Sequence, residues 1–208
     1  MSDASSQSNN DTRRAAHGLY ALLSRLWLRE PDQALLELLQ HGDVAEACQA
    51  VAPELVAAAG QATCDDLAVD FCRIWLGPTD HLPPFQSVWE GGQFGGQAAT
   101  SMQPYLAMSG YTPPLEFNTS MLDHLGVQLD WMRHWLEQFQ GAQPEGAPED
   151  FPATVQRAFF RKHLSWPHAL LAQSESRADT SFYRAVVRLT RDFLARESRR
   201  LGLAEMEG

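Results

Sequence analysis

Apolar residues recur through most of the chain at intervals of three and four, the repeat of a helix face. Ala15, Leu19, Leu22 and Leu26 mark a first helix, with Asp11 or Thr12 to cap it and Glu30-Pro31 to stop it. A short helix over about 32–40 reaches a turn at Gly42, and an alanine-rich helix over about 43–59 is broken or bent at Pro53. Thr63 and Asp66 have the spacing of a cap, ahead of Leu67, Phe71, Ile74 and Trp75, and Gly77-Pro78 closes that helix. Further helices are predicted over about 98–109, 117–140, 152–163 and 179–198. The 117–140 helix reads as the longest, its stripe running Met121, Leu125, Leu129, Met132, Leu136, Phe139, with Trp131 and Trp135 beside it. In the last helix, Phe182, Val186, Leu189 and Phe193 on one edge and Tyr183, Val187, Thr190 and Leu194 on the next make a wide apolar face. No alternating strand pattern of useful length and no internal repeat appears, so the fold class is all-α, a single-domain bundle of about 8–10 helices.

Three stretches break the pattern. Residues 1–10 are small and polar and read as a disordered tail; 201–208 read as an acidic one. Residues 77–97 hold three prolines and five glycines, which exclude a regular element, yet carry Phe85, Val88, Trp89 and Phe94. A long loop with aromatics is either functional or folded back on the core.

Charge narrows the function. The formal net charge is −10 and very uneven. Residues 1–150 carry 6 basic and 20 acidic side chains, whereas 151–200 carry 10 and 4. Such a chain is poorly suited to a phosphate backbone and better suited to a basic partner. Cys48, Cys64 and Cys72 lack metal or disulfide spacing and fit reduced, buried thiols. Arg13-Arg14 superficially suggests an export signal, but Arg25 and Arg29 interrupt the apolar run that would follow it. No stretch approaches the ~18 apolar residues of a membrane span. Metal and phosphate motifs are missing: no Glu-x-x-His occurs, and Gly91–Gly96 lacks the Gly-Lys-Ser/Thr ending of a phosphate loop.

Two places stand out, the first readable equally as a rigid polyproline turn whose aromatics plug the core, the second as first-turn acids favoured by a helix dipole. One is Leu82-Pro83-Pro84-Phe85-Gln86-Ser87-Val88-Trp89; the other is Asp123-His124, with Glu116 seven residues before it. Together with Tyr20–Trp27, Phe71-Cys-Arg-Ile-Trp-Leu-Gly-Pro78, Phe160-x-x-His163-Leu164 and Trp166, they make the chain resemble the TorD/DmsD family of redox enzyme maturation chaperones over about residues 15–196. The sequence departs from the family pattern at Gln86, where glutamate is usual, and at Ser120-Met121, where the family signature has Glu-Pro.

The resemblance implies a cytoplasmic, non-enzymatic chaperone. It would bind the twin-arginine signal peptide and apo-form of a DMSO reductase-class molybdoenzyme, holding it for cofactor insertion before export. It implies no cofactor, allows weak guanine-nucleotide binding and contact with the export machinery, and leaves open a monomer or a domain-swapped dimer, with 110–115 or 141–150 as hinge or linker. A receptor for such a leader needs carboxylates for guanidinium groups and an apolar groove. Asp80, Glu116 and Asp123 are the candidate acceptors, and His124 would orient Asp123. Trp75, Leu82, Pro84, Phe85, Gln86, Ser87, Val88 and Trp89 are the candidate groove. The competing readings are a helical metal- or nucleotide-binding enzyme, and a general helical adaptor docking an acidic partner through its basic C-terminal segment.

Overall fold

The computed structural model describes the backbone of residues 2–115, 121–139, 148 and 150–203, and side chains from Thr12 onward within those ranges. Eleven α-helices are present among the described residues, and no strand. They are α1 (Ser2–Leu28), α2 (Gln33–Gln40), α3 (Gly42–Val51), α4 (Pro53–Ala59), α5 (Cys64–Phe71), α6 (Gln86–Gly91), α7 (Gly96–Ser109), α8 (Leu125–Gln138), α9 (Phe151–His163), α10 (His168–Arg177) and α11 (Ser181–Arg200). The chain is all-α, as its apolar spacing predicts.

Local signals set several boundaries. The Asp32 and Thr63 side chains accept the backbone N–H of Leu35 and Asp66, capping α2 and α5. Pro53 stands at the start of α4, where its missing N–H costs nothing. Before Gly77, α5 widens into a π-helical turn over Cys72–Leu76. That turn keeps Ile74 and Trp75 in the core while leaving Leu76 61% exposed.

Helix α1 packs chiefly on α8 and also touches α11, while α4, α5 and α10 pack on α11. The buried face of α1 is Ala16, Tyr20, Leu23, Leu26 and Trp27, one residue round from the predicted Ala15–Leu19–Leu22–Leu26 stripe. The aromatic rings decide this rotation: Tyr20 meets Phe193 edge-on at 4.6 Å and Trp27 meets Trp75 at 4.8 Å. Every predicted apolar-face residue of α11 is buried. Trp131 lies on Phe159 with ring centroids 3.9 Å apart, joining α8 to α9. Gly126 stands where α1 comes closest to α8: a Cβ there would lie 2.7 Å from the Leu28 Cγ.

The backbone is helical from Ser2, through the 1–10 stretch that reads as a disordered tail. Several other expectations are corrected. At 27 residues α1 is also the longest described helix, whereas α8 has 14. The loop over 77–97 contains a regular element after all, α6. Of the cysteines, Cys48 alone is buried; Cys72 is exposed, and all three are free. Tyr111, within the 110–115 hinge candidate, is buried and donates to Asp130 at 2.7 Å. Of 141–150 only Pro148 and Asp150 are described, and Glu116, Ser120 and the end of the 201–208 tail lie outside the described residues. No described helix is long and apolar enough to cross a membrane.

Candidate functional site

The Pro-Pro segment lies across the start of α8. Gln86 N–H donates to the Asp123 carbonyl (3.0 Å) and Leu125 N–H to the Pro84 carbonyl (2.8 Å), an isolated antiparallel bridge between Phe85 and His124. The side chains extend this pairing. Asp123 Oδ2 accepts Ser87 N–H at 2.8 Å, supplying a carboxylate to the first turn of α6 from 36 residues away. Ser87 Oγ accepts Gly95 N–H at 3.0 Å, and Trp89 Nε1–H donates to the Pro83 carbonyl at 2.8 Å. Gly92, at φ +74°, closes α6 in the left-handed conformation glycine tolerates. A stretch of prolines and glycines thus gains a helix because its orphan donors find acceptors on a distant segment.

His124 caps α8: its Nδ1 accepts Gly126 N–H at 3.0 Å. An accepting nitrogen carries no proton, so the ring is neutral. Burial pushes its pKa down to about 3. The ring meets Phe85 edge-on at 4.9 Å, and Phe85 in turn meets Phe94 at 5.1 Å. Phe94 remains 62% exposed. Asp123 is fully buried, and its Oδ1 has no hydrogen-bond partner.

Gln86 is the hub beneath this loop. Its Oε1 accepts Gln128 Nε2–H (2.8 Å) and His163 Nδ1–H (3.0 Å); its Nε2 donates to the Lys162 carbonyl (2.8 Å) and to Glu90 (3.0 Å). Trp166 Nε1–H donates to Gln128 Oε1 at 2.9 Å. Gln86, Gln128 and His163 are all buried. Burial, helped by the Lys162 charge and opposed by the Ser101 backbone, pushes the His163 pKa down to about 4. These contacts explain glutamine at 86. An ionised glutamate could not donate to the Lys162 carbonyl, and its charge would face Glu90.

A second cluster fixes the start of α11. Asp70, nearly buried, accepts from Thr180 N–H and hydroxyl (both 2.8 Å), Asp179 N–H (3.2 Å) and Arg73 (2.7 Å). Burial opposes its charge, but these donors prevail and hold its pKa below the ordinary carboxylate range. Arg73 also pairs with Asp179 at 2.9 Å and donates to the Arg177 carbonyl. Arg177 donates to the carbonyl of Asp80 and pairs with its carboxylate at 3.3 Å. Asp80 itself has φ +56°.

The candidate site residues therefore divide. Pro84, Phe85, Gln86, Ser87, Asp123 and His124 come together but are buried. Leu82, also buried, donates its N–H to the Ile74 carbonyl at 2.7 Å. The neighbouring Trp75 is in the core, 2% exposed, with its Nε1–H on Ser174 Oγ at 3.0 Å. Val88 and Trp89 are half-buried, and Asp80 is exposed but already paired with Arg177. Sequence reasoning assigned no site role to Gln128, His163, Trp166 or the Asp70 cluster. The signal for the first was a glutamine inside the apolar stripe of α8. His163 and Trp166 were visible only within the family motif. Among the described residues no group of three or more His, Cys, Asp and Glu could hold a metal ion. Asp130 is engaged by Tyr111 and Arg133, and His134 by the Ser109 carbonyl.

Chaperone protein YcdY of Escherichia coli (strain K12) is 27% identical to the chain over 183 residues, covering 85% of this chain and 90% of that protein. The family described as nitrate reductase delta subunit matches residues 41–172, well over half of the chain. The chain thus belongs to the nitrate reductase delta subunit family, a family of redox enzyme maturation chaperones, in agreement with its Pro-Pro and Asp-His motifs.

Proposed function

We propose that this protein is a cytoplasmic chaperone for a DMSO reductase-class molybdoenzyme, binding the twin-arginine signal peptide and the apo-form until the cofactor is in place. Family membership makes it a maturation chaperone rather than an enzyme, which sets aside the metal-hydrolase and nucleotide-enzyme readings. The observation that carries the finer reading is the ledge formed by Phe94. A ring that is 62% exposed is held in place by Phe85, and Phe85 by His124 and the start of α8. Val88 and Trp89 are half-buried on the neighbouring helix, and Glu90 is exposed there. A preordered apolar ledge lowers the ordering cost of receiving the apolar middle of a leader. The acidic residues 1–150 favour its basic head. In this reading Asp123, His124, Gln86 and Ser87 position the loop from below, while Phe94, Val88 and Trp89 touch the peptide.

Calorimetry with a synthetic twin-arginine leader tests this reading. Binding should weaken with added salt, and Phe94→Ala should cost about tenfold in affinity without lowering the melting temperature. A leader that does not bind the wild-type chain, or binds Phe94→Ala equally well, overturns it.

A further inference from the structure

We propose that the cavity beside the contact of α1 with α8 binds the carboxylate of an acidic residue that lies next to an apolar one in a partner polypeptide. The inference goes beyond the leader reading and concerns a different part of the surface. The cavity encloses about 380 Å³. Residues of α1 spaced three and four apart form one side of it, α8 forms the other, and Pro114 completes the wall.

Three observations select the occupant. The first is a donor with nothing to donate to. Ser24 lines the cavity and is 3% exposed, yet its hydroxyl has no hydrogen-bond partner among the described residues. A helical serine commonly bonds the carbonyl one turn back, and a buried donor left unpaired costs stability that a ligand acceptor would restore. The second is charge. Three guanidinium groups, those of Arg25, Arg29 and Arg133, line the cavity against one carboxylate, Asp130. Asp130 is already engaged: Oδ2 accepts the Tyr111 hydroxyl and Oδ1 accepts Arg133 Nε–H. Arg133 turns Nη1 to Glu137, and Arg25 turns to Asp32 and to the carbonyls of Arg29 and Glu30. That leaves Arg133 Nη2 and the exposed Arg29 guanidinium, which has no ion pair among the described residues, for a ligand beside the Ser24 hydroxyl. Asp32, Asp130 and Glu137 keep the positive surplus small, so the site suits the single charge of a carboxylate better than a phosphate dianion. The third is the rest of the wall. Ala21, Leu28 and Pro114 are half-buried and apolar, so the cavity also covers an apolar neighbour of the acid. Membership of a chaperone family makes a polypeptide, rather than a free acid, the source of that carboxylate.

Magnetic resonance titration of the isotope-labelled full chain tests the inference with three probes: acetyl-Leu-Glu-Leu-amide, its glutamine counterpart, and isovalerate as a free apolar acid. The glutamate peptide should move the Ser24, Arg29 and Arg133 signals and bind about tenfold tighter than the glutamine peptide, an advantage that shrinks in added salt. Ser24→Ala/Arg29→Gln alters one hydroxyl and one exposed guanidinium, neither holding a partner, and a thermal melt confirms the fold. This double variant should bind the two peptides alike. A glutamate peptide that binds no tighter than the glutamine peptide, or that moves signals elsewhere on the surface, overturns the inference. So does a double variant that keeps the full preference. Isovalerate binding as tightly as the glutamate peptide would make the ligand a free acid and overturn the polypeptide assignment. Inorganic phosphate displacing the peptide at lower concentration than acetate would make the site one for phosphate and overturn the carboxylate. Phe94→Ala should leave the preference for the glutamate peptide intact, so failure of the ledge and failure of the cavity are read apart.

Discussion

At Gln86 the chain joins its loop to α8 and α9 chiefly with neutral groups: two amides, an uncharged imidazole, an indole and a backbone carbonyl, around a buried centre, with the exposed Glu90 carboxylate at its edge. At Asp70 it joins α5 to the turn before α11 with charges: two aspartates and an arginine, at a margin where Arg73 is 43% exposed. Both fasten segments far apart in sequence, 77 residues between Gln86 and His163 and 110 between Asp70 and Thr180. They differ in what can undo them. The neutral hub is little affected by salt but depends on the His163 imidazole staying uncharged. The ionic corner tolerates acid but is exposed to screening.

Removing the hub should have the largest effect. Gln86→Leu leaves the Gln128 amide, the His163 N–H and the Lys162 carbonyl without partners in the interior, and should cost about 3 kcal/mol in a urea titration. A loss below about 1 kcal/mol would mean that the loop is not fastened at this point.

Acid should act next, and on the same region. His163 and His124 are neutral when folded, with pKa values pushed down to about 4 and about 3. An unfolded histidine takes up its proton near 6.5, so below that pH the unfolded chain binds more protons than the folded one. The contribution of both rings is whole above pH 6.5 and is lost as pH falls towards 4, on the order of 1–2 kcal/mol for each at pH 5. Asp70 behaves oppositely: its stabilisation is present above the ordinary carboxylate value of 3.8 and is lost only below it. Urea titrations at pH 7 and pH 5 should show this loss, and in Gln86→Leu the drop should shrink because the His163 environment is already opened. An equal drop in both proteins would place the sensitive groups elsewhere.

The smallest effect belongs to the corner. Arg73→Gln should cost about 0.5–1 kcal/mol at low ionic strength, since half-exposed pairs contribute little. The difference should fade in 1 M sodium chloride. A penalty that survives high salt would make Arg73 a packing residue rather than a charge.

The same contrast separates what was legible in the sequence from what was not. Asp32 and Thr63 cap their helices from three residues away, and the eight apolar positions of α11 are buried together, because these signals act within a turn or along one face. Helix α6 was not legible, since its first N–H groups are accepted by Asp123, far along the chain. Proline and glycine counting cannot see a cap supplied from elsewhere. Asp123 and His124 stand out in the sequence, where an acid beside an imidazole looks like a pair of groups for a ligand. Only the folded geometry shows them turned inward, one accepting from the loop and the other capping α8. Trp75 is ambiguous in sequence for a similar reason: its apolar ring suits a groove as well as a core, and in the fold it packs among the rings of Trp27, Phe71 and Tyr183.

The pairing of Phe85 with His124 has a consequence for exchanging parts between relatives. Residues 83–95 and 121–126 share their backbone acceptors, their caps and an edge-on pair of rings, so they behave as one module encoded in two places. A loop transplanted alone would arrive without the carboxylate that starts its helix or the imidazole that supports its aromatic ledge. The natural unit of transfer is the two segments together.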